Sequence, residues 1–321
     1  MKRLQTRIGH GPRWGRSAWV AAGAMLVGLV APAAAAALPD ARPVDALPSA
    51  WEAPPLVLFG AAVAVALFAQ AFWRLRRRGR ADAAAWWRVP VFVAGVALGV
   101  LPLLSPLDAI GDSYLLSGHM LQHVLIGDAA PALIVLALRG PLVFFVLPAT
   151  VLRRLAGVRP LRALLSFVLR PWITFMIWVA VLLGWHVPAA FDYTLSHQTV
   201  HDLEHVTFVV AGTLAWVQLI DPARHARLRP SGRILFAIGM LALSHPIIDG
   251  LLFSARVVYR PYALQPERLL GLSALTDQRI AAGVMMVEQL LTLGTCIAVL
   301  AWPYVQRRRA RRAAAVSQGA S

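Results

Sequence analysis

The sequence predicts an all-α fold, a polytopic transmembrane bundle of seven helices after an N-terminal signal peptide or extra helix. Three observations carry this reading. Of 321 residues, 59% are hydrophobic and only 14% charged, and the mean hydropathy is +0.64, values of a membrane chain rather than a soluble domain. Seven apolar runs occupy about 54–73, 89–104, 119–138, 171–187, 201–219, 234–252 and 279–302, most of them near the ~20 residues that span hydrocarbon. Arginine is crowded into every second connection between them.

Residues 1–37 begin with Lys2, Arg3, Arg7, Arg13 and Arg16 and contain no acid. The apolar run Ala18 to Val30 follows, and then the alanine stretch Ala33 to Ala37. A basic start, a short apolar run and a small-residue end read as a secretory signal peptide cleaved near Ala37, the rival being a retained helix. Residues 38–53 hold three prolines with Asp40, Asp45 and Glu52, a short extracytoplasmic segment. The membrane domain covers 54–304, and 305–321 form a basic tail.

Loop charge sets the orientation. Arg74, Arg76, Arg77, Arg78, Arg80 and Arg88 follow the first run; Arg139, Arg153, Arg154, Arg159, Arg162 and Arg170 follow the third. Arg224, Arg227, Arg229 and Arg233 follow the fifth, and Arg307, Arg308, Arg309, Arg311 and Arg312 the seventh. The opposite loops hold only Arg42, Arg256, Arg260, Arg268 and Arg279. The positive-inside rule then predicts an N-terminus outside and a C-terminus in the cytoplasm. It also accounts for the net charge of +16 through the lipid bilayer, and no nucleic-acid partner is expected. Segment 141–170, broken by Pro148, Gly157 and Pro160, is expected to lie at the interface rather than to form an eighth span.

On this topology seven of the nine histidines fall on one side. His119 and His123 open the third run and His186 ends the fourth. His197, His201 and His205 open the fifth, and His245 lies in the outer half of the sixth. Helical spacings of four and eight bring such residues close to one face. Carboxylates accompany them: Asp108 and Asp112 before the third run, Asp192 after His186, Glu204 between His201 and His205, and Asp249 four after His245. Asp128 and Glu288 lie deeper. The single cysteine, Cys296, excludes an intramolecular disulfide and a cysteine metal cluster. A metal site must therefore use His, Met, Asp or Glu; imidazole with carboxylate suits Zn, Cu(II) or Fe, and the thioethers of Met120, Met240, Met285 and Met286 would suit Cu(I).

Each of these has a plainer reading. Paired histidines on one face also hydrogen-bond across helices, Asp108 and Asp112 can orient a helix start, and the methionines can be packing. His197 can be an exposed rim residue just before its helix. The joint clustering favours a shared site of His119, His123, His186, His201, His205 and His245, supported by Asp108, Asp112, Asp192, Glu204, Asp249 and Glu288.

Ser105-Pro106-Leu107-Asp108, Gly111-Asp112 and Ser117-Gly118-His119-Met120-Leu121-Gln122-His123 resemble a block of the CtaG-type cytochrome c oxidase assembly factors. Trp185-His186-Val187-Pro188 with Phe191-Asp192, the run His197 to His205 with Gly212 and Trp216, Tyr259-Arg260-Pro261-Tyr262, and Asp277-Gln278 with Gly283, Met285 and Glu288 resemble four more, in matching order. Phe191 stands where the family usually has Tyr, and Asp128 where it is usually apolar. The resemblance implies a non-enzymatic multi-pass protein of the bacterial plasma membrane that helps assemble a haem–copper oxidase, with oxidase subunits and an extracytoplasmic copper chaperone as partners and copper as the suspected metal. Three other readings stay open. They are a haem or metal redox protein, a metalloenzyme built on His201-Asp202-Leu203-Glu204-His205, which has the H-x-x-E-H pattern, and a transporter using Asp128 and Glu288.

Overall fold

The computed structural model describes residues 44–225 and 227–319, so the expected leader and most of the acidic segment after it lie outside the described residues. Among the described residues there are helices, turns and no strand. The helices are α1 (Pro55–Arg77), α2 (Arg88–Leu104), α3 (Leu107–Ser113), α4 (Leu116–Ala137), α5 (Ala149–Gly157), α6 (Arg159–Val168), α7 (Pro171–Trp185), α8 (Pro188–Thr194), α9 (Gln198–Ile220), α10 (Pro230–Phe253), α11 (Arg260–Leu264) and α12 (Ala274–Arg311).

Five of these, α1, α4, α9, α10 and α12, are each long and apolar enough to cross a membrane. The pairs α2/α3 and α6/α7 pass the same test only together and are bent by 55° and 75°. Counting each bent pair as one span gives seven, at the places where the sequence shows its seven apolar runs. The proteins of this class must satisfy every backbone group internally, and continuous helices do so. Proline marks the starts: Pro55, Pro171, Pro188 and Pro230 occupy first helical positions, where the missing N–H costs nothing. The stretch expected at the interface forms a 3-10 turn (Gly140–Phe145) and the short helices α5 and α6, neither of which buries a residue.

Helix α4 is the centre of the packing, lying against α2, α9 and α12. Its neighbours approach closely because glycine lets them. A Cβ at Gly212 on α9 would land on the carbonyl oxygen of Gly127 on α4, and one at Gly95 on α2 would come within 2.8 Å of Ile134 Cγ1. Small residues at such crossings let backbones touch, which is how helices associate where burial from water supplies little.

Both ends of α4 are closed by distant side chains. At its start the Asp277 carboxylate accepts from Leu116 N–H at 2.7 Å and Ser117 N–H at 3.1 Å. At its end the Arg88 guanidinium donates to the carbonyls of Ala137 and Arg139 at 2.7 and 2.6 Å. An acid at the N-terminus and a base at the C-terminus both match the helix dipole. Both α4 and α12 carry one π-helical turn, Leu125–Ala129 and Leu290–Gly294, a device frequent at functional sites.

Candidate metal centre

Helix α4 begins at Leu116, so the i, i+4 spacing sends His119 and His123 to one face in its first two turns. Helix α9 begins at Gln198 and presents His201, Glu204 and His205 in the same way. The close crossing at Gly127 and Gly212 holds these two faces together. The result is a quadrilateral of imidazoles. Ring centroids lie 4.2 Å apart for His119–His123, 5.1 Å for His123–His205, 4.1 Å for His205–His201 and 5.3 Å for His201–His119, with a 6.3 Å diagonal from His123 to His201.

All four rings are buried, and their free nitrogens have no hydrogen-bond partner: both of His119 and His123, and Nε2 of His201 and His205. Buried polar atoms are ordinarily paired, so this concentration of unpaired nitrogens makes the group a candidate ligand set. Glu204 adds a carboxylate with one oxygen 3.8 Å from His123 Nδ1. The nearby Thr194 hydroxyl spends its proton on the Phe191 carbonyl at 2.8 Å, leaving both Glu204 oxygens without a standard hydrogen bond. Ligand atoms of His119, His123, His201 and Glu204 all lie within 4.8 Å of one another, close enough for one ion to gather them.

The surrounding side chains fix the ligands. Asp112 on α3 lies 3.6 Å from His119 Nδ1 and 3.4 Å from His201 Nε2. Asp108 accepts from Gln122 Nε2 at 2.6 Å, which ties α3 to α4 one residue from His123. Tyr262 donates to the Gly111 carbonyl at 2.6 Å and Gln265 to that of Ser113 at 2.6 Å, so the α11 segment clamps α3. Phe191 packs on His119 at 4.9 Å and stacks on Tyr259 at 4.0 Å. Outer partners of this kind set ring orientation and ligand basicity.

The remaining expected site residues divide. His186 stays near: its Nδ1–H donates to the Leu182 carbonyl at 2.7 Å, its Nε2 is buried without a partner, and its ring lies 6.3 Å from Phe208, which packs on His123. Asp192 takes the backbone N–H of Arg260 rather than a histidine, and burial raises its carboxyl to about 6 against the pull of that N–H and the Arg260 charge. His245 and Asp249 are not brought to the group. Both are exposed, and the His245 Nδ1–H is spent on its own Leu241 carbonyl at 2.8 Å. Glu288 is not there either; it pairs with Asp128 deeper along α4. His197 is an exposed rim residue, stacked on Tyr193 at 3.8 Å. Met120, Met240 and Met285 are buried in apolar clusters and Met286 is exposed, so the candidate ligands that meet are imidazole and carboxylate.

The sequence model of the cytochrome c oxidase caa3 assembly factors (Caa3_CtaG) matches residues 66–307, most of the chain. The chain belongs to that family. The match runs from α1 to the end of α12 and so contains every histidine of the quadrilateral. No curated protein and no solved structure matches it.

Asp277, which the sequence shows only as part of a motif, has a structural role in this family member. It anchors the start of the helix that carries His119 and His123. Its sequence signal was weak, a single acid in the first turn of the last helix, 161 positions from its partner.

Proposed function

We propose that this caa3 assembly factor binds copper through His119, His123, His201 and Glu204, with His205 and His186 at the margin, and passes it to a subunit of the oxidase. One observation supports this above all: three buried imidazoles and one buried carboxylate converge within 4.8 Å with their ligand atoms unpartnered. The donor set suits Cu(II) or Zn by hardness; the family's client, a haem–copper oxidase, favours copper. The work is binding and transfer rather than catalysis. The set offers more donors than one ion takes, so a client's ligands can replace them one at a time.

The orientation expected from the arginines puts this cluster near the outer face of the plasma membrane, where an extracytoplasmic copper chaperone can load it. The test is Cu(II) titration of the purified protein, followed by electron paramagnetic resonance. Wild type is expected to bind one copper with nitrogen hyperfine structure, and H119A/H123A none. Equal stoichiometry in both would sink this site. In cells lacking the protein, the oxidase spectrum and copper content of the membrane should fall, and H119A/H123A should fail to restore them.

The H-x-x-E-H reading has one observation in its favour, since His201, Glu204 and His205 do meet in space. It requires Glu204 to act as a base toward a metal-bound water. Proteolysis of a client that E204Q abolishes, with metal binding kept, would establish it over transfer.

A further inference from the structure

Asp128 and Glu288 are two ionisable groups inside the bundle that the metal centre does not use. Asp128 lies five residues beyond His123 on α4, roughly 7 Å deeper at the helical rise, and Glu288 faces it from α12. Each sits at a π-helical turn, Asp128 within one and Glu288 two residues before the other. Asp128 accepts from Trp216 Nε1–H, from the Thr292 hydroxyl at 3.0 Å, and from Glu288 itself. A hydrogen bond between two carboxyl groups requires a proton on one of them. Trp216 Nε1–H donates to Asp128 alone, while the Thr292 hydroxyl lies between Asp128 Oδ2 at 3.0 Å and the Glu288 backbone carbonyl at 3.1 Å, so the negative charge is placed on Asp128 and the proton on Glu288. Two carboxyls this close, away from water, share a proton rather than both ionising.

The pair is not isolated. Trp216 and Thr292, both bonded to Asp128, also wall a cavity of about 400 Å³. That cavity runs past Leu136 and Leu219 to Arg139 and Arg233, at the end of the bundle opposite the histidines. The other titratable or charged groups lining this cavity are Arg139 just beyond α4, Cys296 on α12 and Arg233 on α10. The Arg233 guanidinium is already held by Asp221 at 2.8 Å, so it does not neutralise Asp128. An ionisable pair in a membrane helix bundle is expensive unless it has a use.

We propose that Asp128 and Glu288 form a proton-exchange site in the membrane interior, holding one shared proton and one negative charge at rest and taking a second proton to become neutral. The ligand is a proton, and Thr292 and Trp216 are positioning residues that stabilise the charged form. The site stands independently of metal binding: loss of copper in H119A/H123A would leave it untouched, and its failure would leave the copper centre untouched.

The test uses the full-length protein in lipid nanodiscs. A hydrophobic carbodiimide adds to protonated carboxyls and leaves a stable acylurea that mass spectrometry places on a residue. An adduct is expected on Glu288 at neutral pH, absent in E288Q and fading at alkaline pH. The infrared difference between wild type and D128N/E288Q supplies a second readout. It should show one protonated carboxyl at neutral pH and two after acidification, which a merely structural pair would not show. Absence of any adduct on either residue across the pH range, or a carboxyl signal that does not change with pH, overturns the proposal.

Discussion

The carboxylate of Asp277 accepts a 2.7 Å hydrogen bond from the backbone N–H of Leu116, and so caps a helix to which it does not belong. The Ser117 N–H and hydroxyl bind the same carboxylate at 3.1 and 2.5 Å. Leu115, the residue in the capping position, has no side-chain acceptor. The first turn of α4, and with it His119, is therefore set by the last transmembrane helix.

Replacing that carboxylate should damage both stability and the site. D277A leaves three donors near the membrane surface without an acceptor, at a cost of about 2–3 kcal/mol. Chemical denaturation in detergent should show that loss, and copper affinity should fall about tenfold, the lower end for losing an orienting partner. Unchanged affinity in a folded D277A would mean that α4 keeps its place without the cap.

The site residues should separate by position. H201A is expected to weaken copper binding by at least about tenfold, and E204Q by about tenfold. H197A and H245A, whose rings are exposed and engaged with Tyr193 and the Leu241 carbonyl, should stay within about twofold of wild type, since neither reaches the buried cluster. Isothermal titration of the four variants decides it. A large loss in H245A would move the centre toward α10.

The crossing of α4 and α9 gives a packing test. Gly212→Ala places a methyl on the Gly127 carbonyl oxygen, so the two histidine helices must move apart. A destabilisation of about 1–3 kcal/mol is expected, with copper binding weakened because His119 and His123 leave His201 and His205. Gly283→Ala, where a Cβ meets nothing within 4 Å, should change stability by less than about 1 kcal/mol and leave copper binding alone.

Asp192 predicts a pH dependence. Burial, opposed by Arg260, raises its carboxyl from 3.8 to about 6. Between those values the folded chain holds a proton that the unfolded chain releases, so stability contributed by Asp192 is greatest at the acidic end and falls as pH rises through the window. D192N cannot titrate. Because the amide resembles the protonated carboxyl, wild type should melt close to D192N at the acidic end and fall progressively below it as pH rises over that range, and a flat difference would contradict the assignment.

How much was legible in the sequence can be judged residue by residue. The apolar runs marked where the spans lie, because bilayer thickness and backbone satisfaction constrain length and composition directly, although the last helix begins at Ala274 and runs on to Arg311, outside its run at both ends. The i, i+4 spacing of His119/His123 and of His201/His205 named the four rings that meet. His245 obeyed the same topology yet points elsewhere, because depth along a helix follows from counting residues whereas the face it presents depends on how its helix is rotated against its neighbours. Asp128 and Glu288 were visible as costly residues, but their pairing was not.

The sequence by itself determined an all-α membrane bundle and a family match over most of the chain, since both rest on local pattern. Only the tertiary structure decided which polar groups touch. It set His123 against His205, closed α4 with Asp277 and Arg88, and joined Asp128 to Glu288. Those contacts span up to 161 positions and depend on helix rotation and glycine-permitted approach, which no local pattern encodes.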